Sequence, residues 1–207
     1  MKGSRFLRYL LYFNIISVSY FIFKSVWSKN YSFTYFAFVI VCLIYVAVAH
    51  YKTLNLNRGV VFGLSIFGFL HLLGGNYFLS DGTLLYYYEF IPGFFRYDNL
   101  IHFFGTSLGT IVVHNILKPH IDKYIFLKHE FLFYFLLFLM VEGMGALNEV
   151  IEFFAVIHLD SANIIGGYLD NSLDLVFNML GAITSCLLLV KRNKRLIRKQ
   201  TTYLTNK

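Results

Sequence analysis

The sequence predicts an all-α polytopic membrane protein with six transmembrane helices and both termini in the cytoplasm. Three observations carry that expectation. Of 207 residues, 57% are hydrophobic and 14% charged, against about 25% charged in a soluble domain. Apolar windows of about 20 residues, long enough to cross the hydrocarbon core, occur six times. With six crossings, fifteen of the 18 lysines and arginines fall on the side of the termini, the asymmetry expected of cytoplasmic segments. Only two prolines and 15 glycines are present, and ten-residue alternating segments of the outer-membrane barrel type are absent.

The first span, 6–23, follows Lys2, Arg5 and Arg8. Its charge resembles a secretory signal, but Asn14 and several tyrosines interrupt it and no small-residue cleavage site follows, so it is expected to stay as a span. The second covers 33–50 and the third 59–79, with His71 between Gly68 and Gly75. Residues 80–97 are rich in Tyr and Phe around Pro92-Gly93, which suits a loop at headgroup depth, either an aromatic belt or a lid. The fourth span is 99–117, the fifth 130–157 and the sixth 171–190. Segment 158–170, with Asp160, Gly166 and Gly167, contains no positive charge. No repeat or linker divides the chain, so residues 1–207 read as one domain.

A basic tail, 191–207, holds Lys191, Arg192, Lys194, Arg195, Arg198, Lys199 and Lys207. Directly after an apolar stretch, such a cluster is drawn to the anionic cytoplasmic leaflet. No groove-reading motif accompanies it, and no nucleic-acid partner is expected. The expected partner is membrane lipid. Cys42 and Cys186 lie in apolar runs without CxxC spacing and carry no redox signal.

Ionisable side chains are expensive inside a bilayer, so their placement is the most informative feature of the chain. Asp98, His102 and Thr106 share one face of the fourth span at steps of four. Glu142, Glu149 and Glu152 share a face of the fifth, and Asp170, Asp174, Asn178, Gly181 and Ser185 form a polar, small-residue stripe on the sixth. With alternating directions of crossing, His71, Asp98, His102, Glu149, Glu152, Asp170, Asp174 and Asn178 fall in the outer half of the bilayer. Five carboxylates and two imidazoles would then converge with no Lys or Arg inside the spans, Arg96 standing at the rim. Such a cluster must take up protons or bind cations.

A divalent metal meets that demand, with His71, Asp98, His102, Asp170 and Asp174 as ligands and Zn, Mn, Fe or Mg as candidates. Other roles compete. Asp98 and Asp170 stand at helix starts, where a carboxylate caps free N–H groups, and His71 suits close helix packing. Glu142 lies deeper and reads as a neutral core acid or part of a proton path. His50, His114, His120 and His129 lie at the opposite ends of the spans and read as interfacial.

The runs Arg96-Tyr97-Asp98-Asn99-Leu100-Ile101-His102-Phe103-Phe104-Gly105, Asn148-Glu149-Val150-Ile151-Glu152-Phe153 and Asp170-Asn171-Ser172-Leu173-Asp174, with His71-Leu72-Leu73-Gly74-Gly75, resemble the YjdF-like family of bacterial inner-membrane proteins. The last two spans also resemble VanZ-like proteins. The resemblance implies a bacterial inner-membrane location and the meeting of these polar residues, and implies no reaction.

Three functions fit. The first is a metal-dependent hydrolase or transferase acting on a lipid or lipid-linked envelope substrate from the extracytoplasmic face, with Glu149 or Glu152 as general base. The second is a cation- or proton-coupled transporter; only Glu142 extends the polar track inward. The third is a non-catalytic protein whose polar network fixes helix packing.

Overall fold

The computed structural model describes residues 2–50, 54–159 and 167–205. Helix α1 (Lys2–Trp27) is followed by α2 (Tyr31–Ala49) and α3 (Arg58–Gly74); α4 (Tyr97–Leu117), the short α5 (Lys123–Lys128), α6 (Glu130–Leu159) and α7 (Tyr168–Thr205) complete the described helices. Five of them, α1, α2, α4, α6 and α7, are long and apolar enough to cross a membrane. Their surfaces fit that role. Large side chains such as Phe38, Tyr45, Leu147, Phe153 and Leu187 face outward, a pattern that marks contact with an apolar surrounding.

Helix α3, the expected third span, is apolar but only 17 residues long. The expected window 59–79 ran five residues too far. The helix stops at the Gly74-Gly75 pair, where the Phe33 ring of α2 packs so closely on Gly75 that no side chain would fit. Asn76 then folds back, its Nδ2 donating to Leu72 O at 3.0 Å and its Oδ1 accepting from Ser25 Oγ at 2.7 Å.

Helix α4 is the hub, packed on α3, α6 and, most extensively, α7. Small residues set that contact. A side chain at Gly181 would collide with the Phe103 backbone and Thr106, while Ser185 Oγ donates to Ser107 O at 2.9 Å and Ser107 Oγ to Gly181 O at 3.2 Å. In a bilayer, where apolar surface gains nothing by leaving lipid, close backbone approach and such hydrogen bonds hold helices together. Helices α1 and α2 flank α3 on the other side, with Phe21, Ala37 and Leu72 at their junction.

The segment between α3 and α4 folds into a 3-10 turn (Leu85–Tyr87) and a hairpin of β1 (Glu89–Ile91) and β2 (Phe95–Arg96). Gly93, at φ 71°, makes its turn, a backbone conformation that suits a residue without a Cβ. Phe95 stacks on Phe177 of α7 at 5.2 Å between ring centres, and Tyr97 Oη donates to Leu70 O at 2.9 Å. The aromatic belt is therefore only half of what this loop is: Phe90 and Phe94 are exposed, but Tyr86 points inward and is buried.

Helix α7 continues without a break from the sixth expected span through the basic tail to Thr205. Of segment 158–170, Asp160 and Gly166 lie outside the described residues.

Candidate functional site

The expected convergence takes place around His102. This imidazole projects from the second turn of α4 and is buried. Its Nε2 lies 3.4 Å from Asp98 Oδ1, 3.8 Å from Asp174 Oδ1 and 3.9 Å from Glu152 Oε1, and its Nδ1 lies 3.6 Å from Glu149 Oε1. Three helices supply the four acids: α4 gives Asp98, α6 gives Glu149 and Glu152, and α7 gives Asp174. None of these separations is a well-formed hydrogen bond, so the imidazole stands in near contact with the four acids without being paired to any one of them.

The residues around the cluster explain why the acids point inward. Asn99, fully buried, accepts from the Arg96 backbone N–H at 2.8 Å and donates to Asp174 Oδ1 at 2.8 Å. Asn99 thus does the helix-capping work that a carboxylate at the start of α4 could have done, and Asp98 is released to the cluster. Asn148 Nδ2 donates to Glu152 Oε1 at 2.7 Å, one turn away on α6. Asn178 Oδ1 lies 3.3 Å from His102 Nδ1, and its amide is set by Gly145, where any side chain would strike it.

Several polar atoms remain buried without a hydrogen-bond partner: Asp98 Oδ1, Asp174 Oδ2, both carboxylate oxygens of Glu149, and Asn178 Nδ2. Leaving such groups unpaired costs about 1–3 kcal/mol each, more when they are charged. Asp98, His102 and Asp174 form one set of potential ligand atoms, and His102, Glu149 and Glu152 a second.

Two of the expected ligands sit apart from these sets. Asp170 is held by Arg96, which also engages Glu89 at 3.1 Å. It forms the outer rim. The hairpin fixes Glu89 in turn: the Gly93 N–H and then Arg96 hold its carboxyl below the usual range. His71 lies among the rings of Phe33, Phe36, Phe67 and Tyr86, at 5.7–6.2 Å between centres, with its Nδ1 unpartnered. It faces the same recess as His102 without joining the carboxylates.

Tyr86 was not anticipated as part of the site. Its phenol hydrogen-bonds to Asp98, and burial, followed by the nearby carboxylates of Asp98, Glu152 and Asp174, keeps it protonated well above the usual tyrosine range. Asn99 and Asn148 were also missed, although both lie within the quoted runs.

Below the cluster, toward the middle of the helices, lies a recess of ≈180 Å³. Phe36, Ile40 and Leu43 of α2, Phe67 of α3 and Val141 and Met144 of α6 make it apolar, while His71, His102, Asn148 and Asn178 make its polar end.

A second polar group lies at the other end of α4, where His114 was expected to be interfacial. It is buried, because Tyr134 of α6 stacks on it at 6.2 Å and Asn193 of α7 closes over it, Nδ2 to Nε2 at 3.5 Å. Asn193 also joins Tyr134 Oη and Lys118 Nζ. Thr106 and Thr110 lie between the two histidines on the same face, both buried, so the polar face of α4 continues along its whole length.

Comparison with known families settles what kind of chain this is. The family described as predicted membrane protein (DUF2238) matches residues 6–195. The chain belongs to that family. The DUF2238 match spans α1 to α7 and is consistent with the YjdF-like resemblance, whereas the VanZ-like resemblance has no counterpart in it. Nothing among curated proteins or solved structures matches the chain. As a DUF2238 member it is a multi-pass membrane protein, and what its polar cluster does must be argued from the cluster itself.

Proposed function

We propose that the protein is a six-span bacterial inner-membrane enzyme, cytoplasmic at both termini, that uses a divalent metal to cleave or transfer a group on a lipid or lipid-linked envelope substrate at its extracytoplasmic face. The observation that carries this reading is the meeting of His102 Nε2 with Asp98 Oδ1 at 3.4 Å and Asp174 Oδ1 at 3.8 Å, one set of potential ligand atoms, with Asp98 Oδ1 and Asp174 Oδ2 left without hydrogen bonds. Ligands about 2.0–2.2 Å from a tetrahedral ion stand roughly 3.4 Å from each other, and the two imidazole-to-oxygen distances of this set, 3.4 and 3.8 Å, are within a few tenths of an ångström of that. One imidazole among carboxylates suits Mn, Fe or Zn, and Mg would draw on the oxygens alone.

Glu149 is the better general base of the two candidates, since Asn148 already occupies Glu152 Oε1 while both Glu149 oxygens are unpartnered. In hydrolysis it takes a proton from water, the water oxygen bonds to the electrophilic carbon or phosphorus, and the proton passes to the departing oxygen. The apolar recess supports a substrate with a lipid portion, held beside the cluster from within the bilayer. With six crossings, counting the short α3, fifteen basic residues would fall on the side of the termini, which supports cytoplasmic ends.

The test is direct. Purified protein should contain a divalent metal, and chelation should lower its melting temperature, because a ligand bound only to the folded state stabilises it. Metal-free preparations whose stability is indifferent to Zn, Mn, Mg and Ca overturn the reading. A reporter active outside the cytoplasm should give signal after residue 90 and none at the C-terminus.

A second reading has its own support. The buried face His102, Thr106, Thr110, His114 supplies polar atoms along α4, which favours proton or cation passage. Proteoliposomes loaded with a pH dye would show flux that Thr110→Val abolishes, and metal content would be unaffected.

A further inference from the structure

Helices α1, α2 and α3 line an open cavity of ≈410 Å³ that begins at Ile40, Leu43 and Phe67, shared with the recess beside His102, and runs away from it along α1, within the size range of ligand sites, about 300–1,000 Å³. Leu7, Leu11, Ile44, Val61 and Leu64 are among its walls. The polar atoms of Asn14 and Ser65 in the wall are already used: Asn14 Nδ2 donates to Ser65 Oγ and to Leu10 O, each at 2.8 Å, and Ser65 Oγ donates to Val61 O at 2.9 Å. These groups pair with one another and most of the remaining wall is apolar, which favours an apolar occupant.

The cavity has a charged mouth. Arg8 lines it and also lines a second depression, ≈240 Å³, formed with Arg5, Tyr9 and Tyr12. Arg5 and Arg8, one turn apart on α1, are both exposed. Guanidinium groups suit phosphate through paired N–H donors, and tyrosines at such a position suit headgroup depth. From Arg8 to Val18, the cavity follows α1 over ten residues, about 15 Å at the helical rise. That is half of the roughly 30 Å hydrocarbon core, the depth of one leaflet.

We infer that this is a binding site for one anionic phospholipid, its phosphate on Arg5 and Arg8 and an acyl chain in the α1–α2–α3 cavity. The charge at the mouth decides for an anionic headgroup. The apolar, internally satisfied wall and its one-leaflet depth decide for a hydrocarbon chain. The inference does not depend on the metal-enzyme reading.

Native mass spectrometry of the full chain in mild detergent tests it, with dioleoyl phosphatidylglycerol and dioleoyl phosphatidylcholine as probes. The wild type should retain a single phosphatidylglycerol through collisional activation and at least five-fold less phosphatidylcholine. The double substitution Arg5→Ala, Arg8→Ala should bring phosphatidylglycerol down to the phosphatidylcholine level. Gly68→Leu should lower retention of both, since a Cβ there sits in ordinary contact with Ile40, 3.7 Å away, and the rest of the side chain enters the cavity. Equal retention of the two lipids by the wild type, no change in the arginine variant, or a dimer whose formation excludes lipid would overturn the inference. Should the variants not fold, wild-type protein can be labelled with phosphatidylglycerol carrying a diazirine on its acyl chain. Label concentrated at Leu11, Ile44 and Leu64 supports the site, and label spread evenly over the exposed faces refutes it.

Discussion

Helix α4 carries two histidines on one face, about three turns apart, and their surroundings differ in kind. His102 has four carboxylates within 4.0 Å. His114 faces Asn193 and the stacked ring of Tyr134, with no carboxylate paired to it among the described residues. Both are buried. The difference shows that burial of a histidine in this bundle says little by itself. What neighbouring helices present at that depth decides whether the position concentrates acids or knits a hydrogen-bonded network. At the His102 end α6 and α7 present acids with unpaired oxygens. At the His114 end they present a phenol and an amide that pair with one another.

The comparison can be broken at either end. The largest effect should come from His102→Ala, which should lower metal content at least ten-fold, whereas His114→Ala should leave it unchanged; elemental analysis of the two purified variants decides. Equal loss in both would mean that the ends are not distinct. Next, Gly181→Val sits where α4 and α7 touch between the two histidines, and its side chain would strike the Phe103 backbone. Overpacking of this kind costs about 1–3 kcal/mol, visible as a lower melting temperature together with reduced metal retention. Asn193→Leu removes the group that joins Tyr134, Lys118 and His114. It should destabilise by about 1–3 kcal/mol while leaving metal content intact, which separates the structural end from the chemical one.

The smallest effect belongs to the rim. Glu89 carries a carboxyl held below its ordinary value of 4.5 by the Gly93 N–H and Arg96. Its contribution is therefore present above about pH 4.5 and is lost as pH falls through the lower, folded value. The protection factor of the Gly93 amide, its exchange relative to the intrinsic rate at the same pH, should fall in acid, and Glu89→Gln should show lowered protection already at neutral pH. A protection factor indifferent to both changes would remove Glu89 from the hairpin's support.

Much of this architecture was legible from apolar windows and from steps of four. Asp98, His102, Glu149, Glu152 and Asp174 could be placed at one depth because a helix converts spacing into direction, and α4, α6 and α7 are regular where they carry these residues. What was not legible followed from irregular backbone or from competition between polar groups. Tyr86 belongs to a loop whose path no periodicity reports. Asn99 takes the cap and frees Asp98, an exchange that residue types alone do not distinguish. The close seating of Phe33 on Gly75 at the end of α3 joins residues 42 positions apart, which no local pattern reports. His114 read as interfacial because it stands near a span end, yet Asn193, on a helix that runs on past the apolar stretch, covers it.

That unbroken run of α7 has a mechanical meaning. At 38 residues the helix is about 57 Å long, nearly twice the roughly 30 Å hydrocarbon core. It is a lever. Asp174 rides near one tip, the basic residues ride beyond the other end of the apolar stretch, and the close approach of Gly181 to α4 is the natural fulcrum. From Gly181 to Thr205 the long arm measures about 36 Å at the helical rise. A tilt of about 5° at the fulcrum carries its far end by about 3 Å. The same tilt carries Asp174, about 10 Å from the fulcrum, by about 1 Å, so a displacement of Asp174 relative to His102 would be written, about three times magnified, into the position of the basic end.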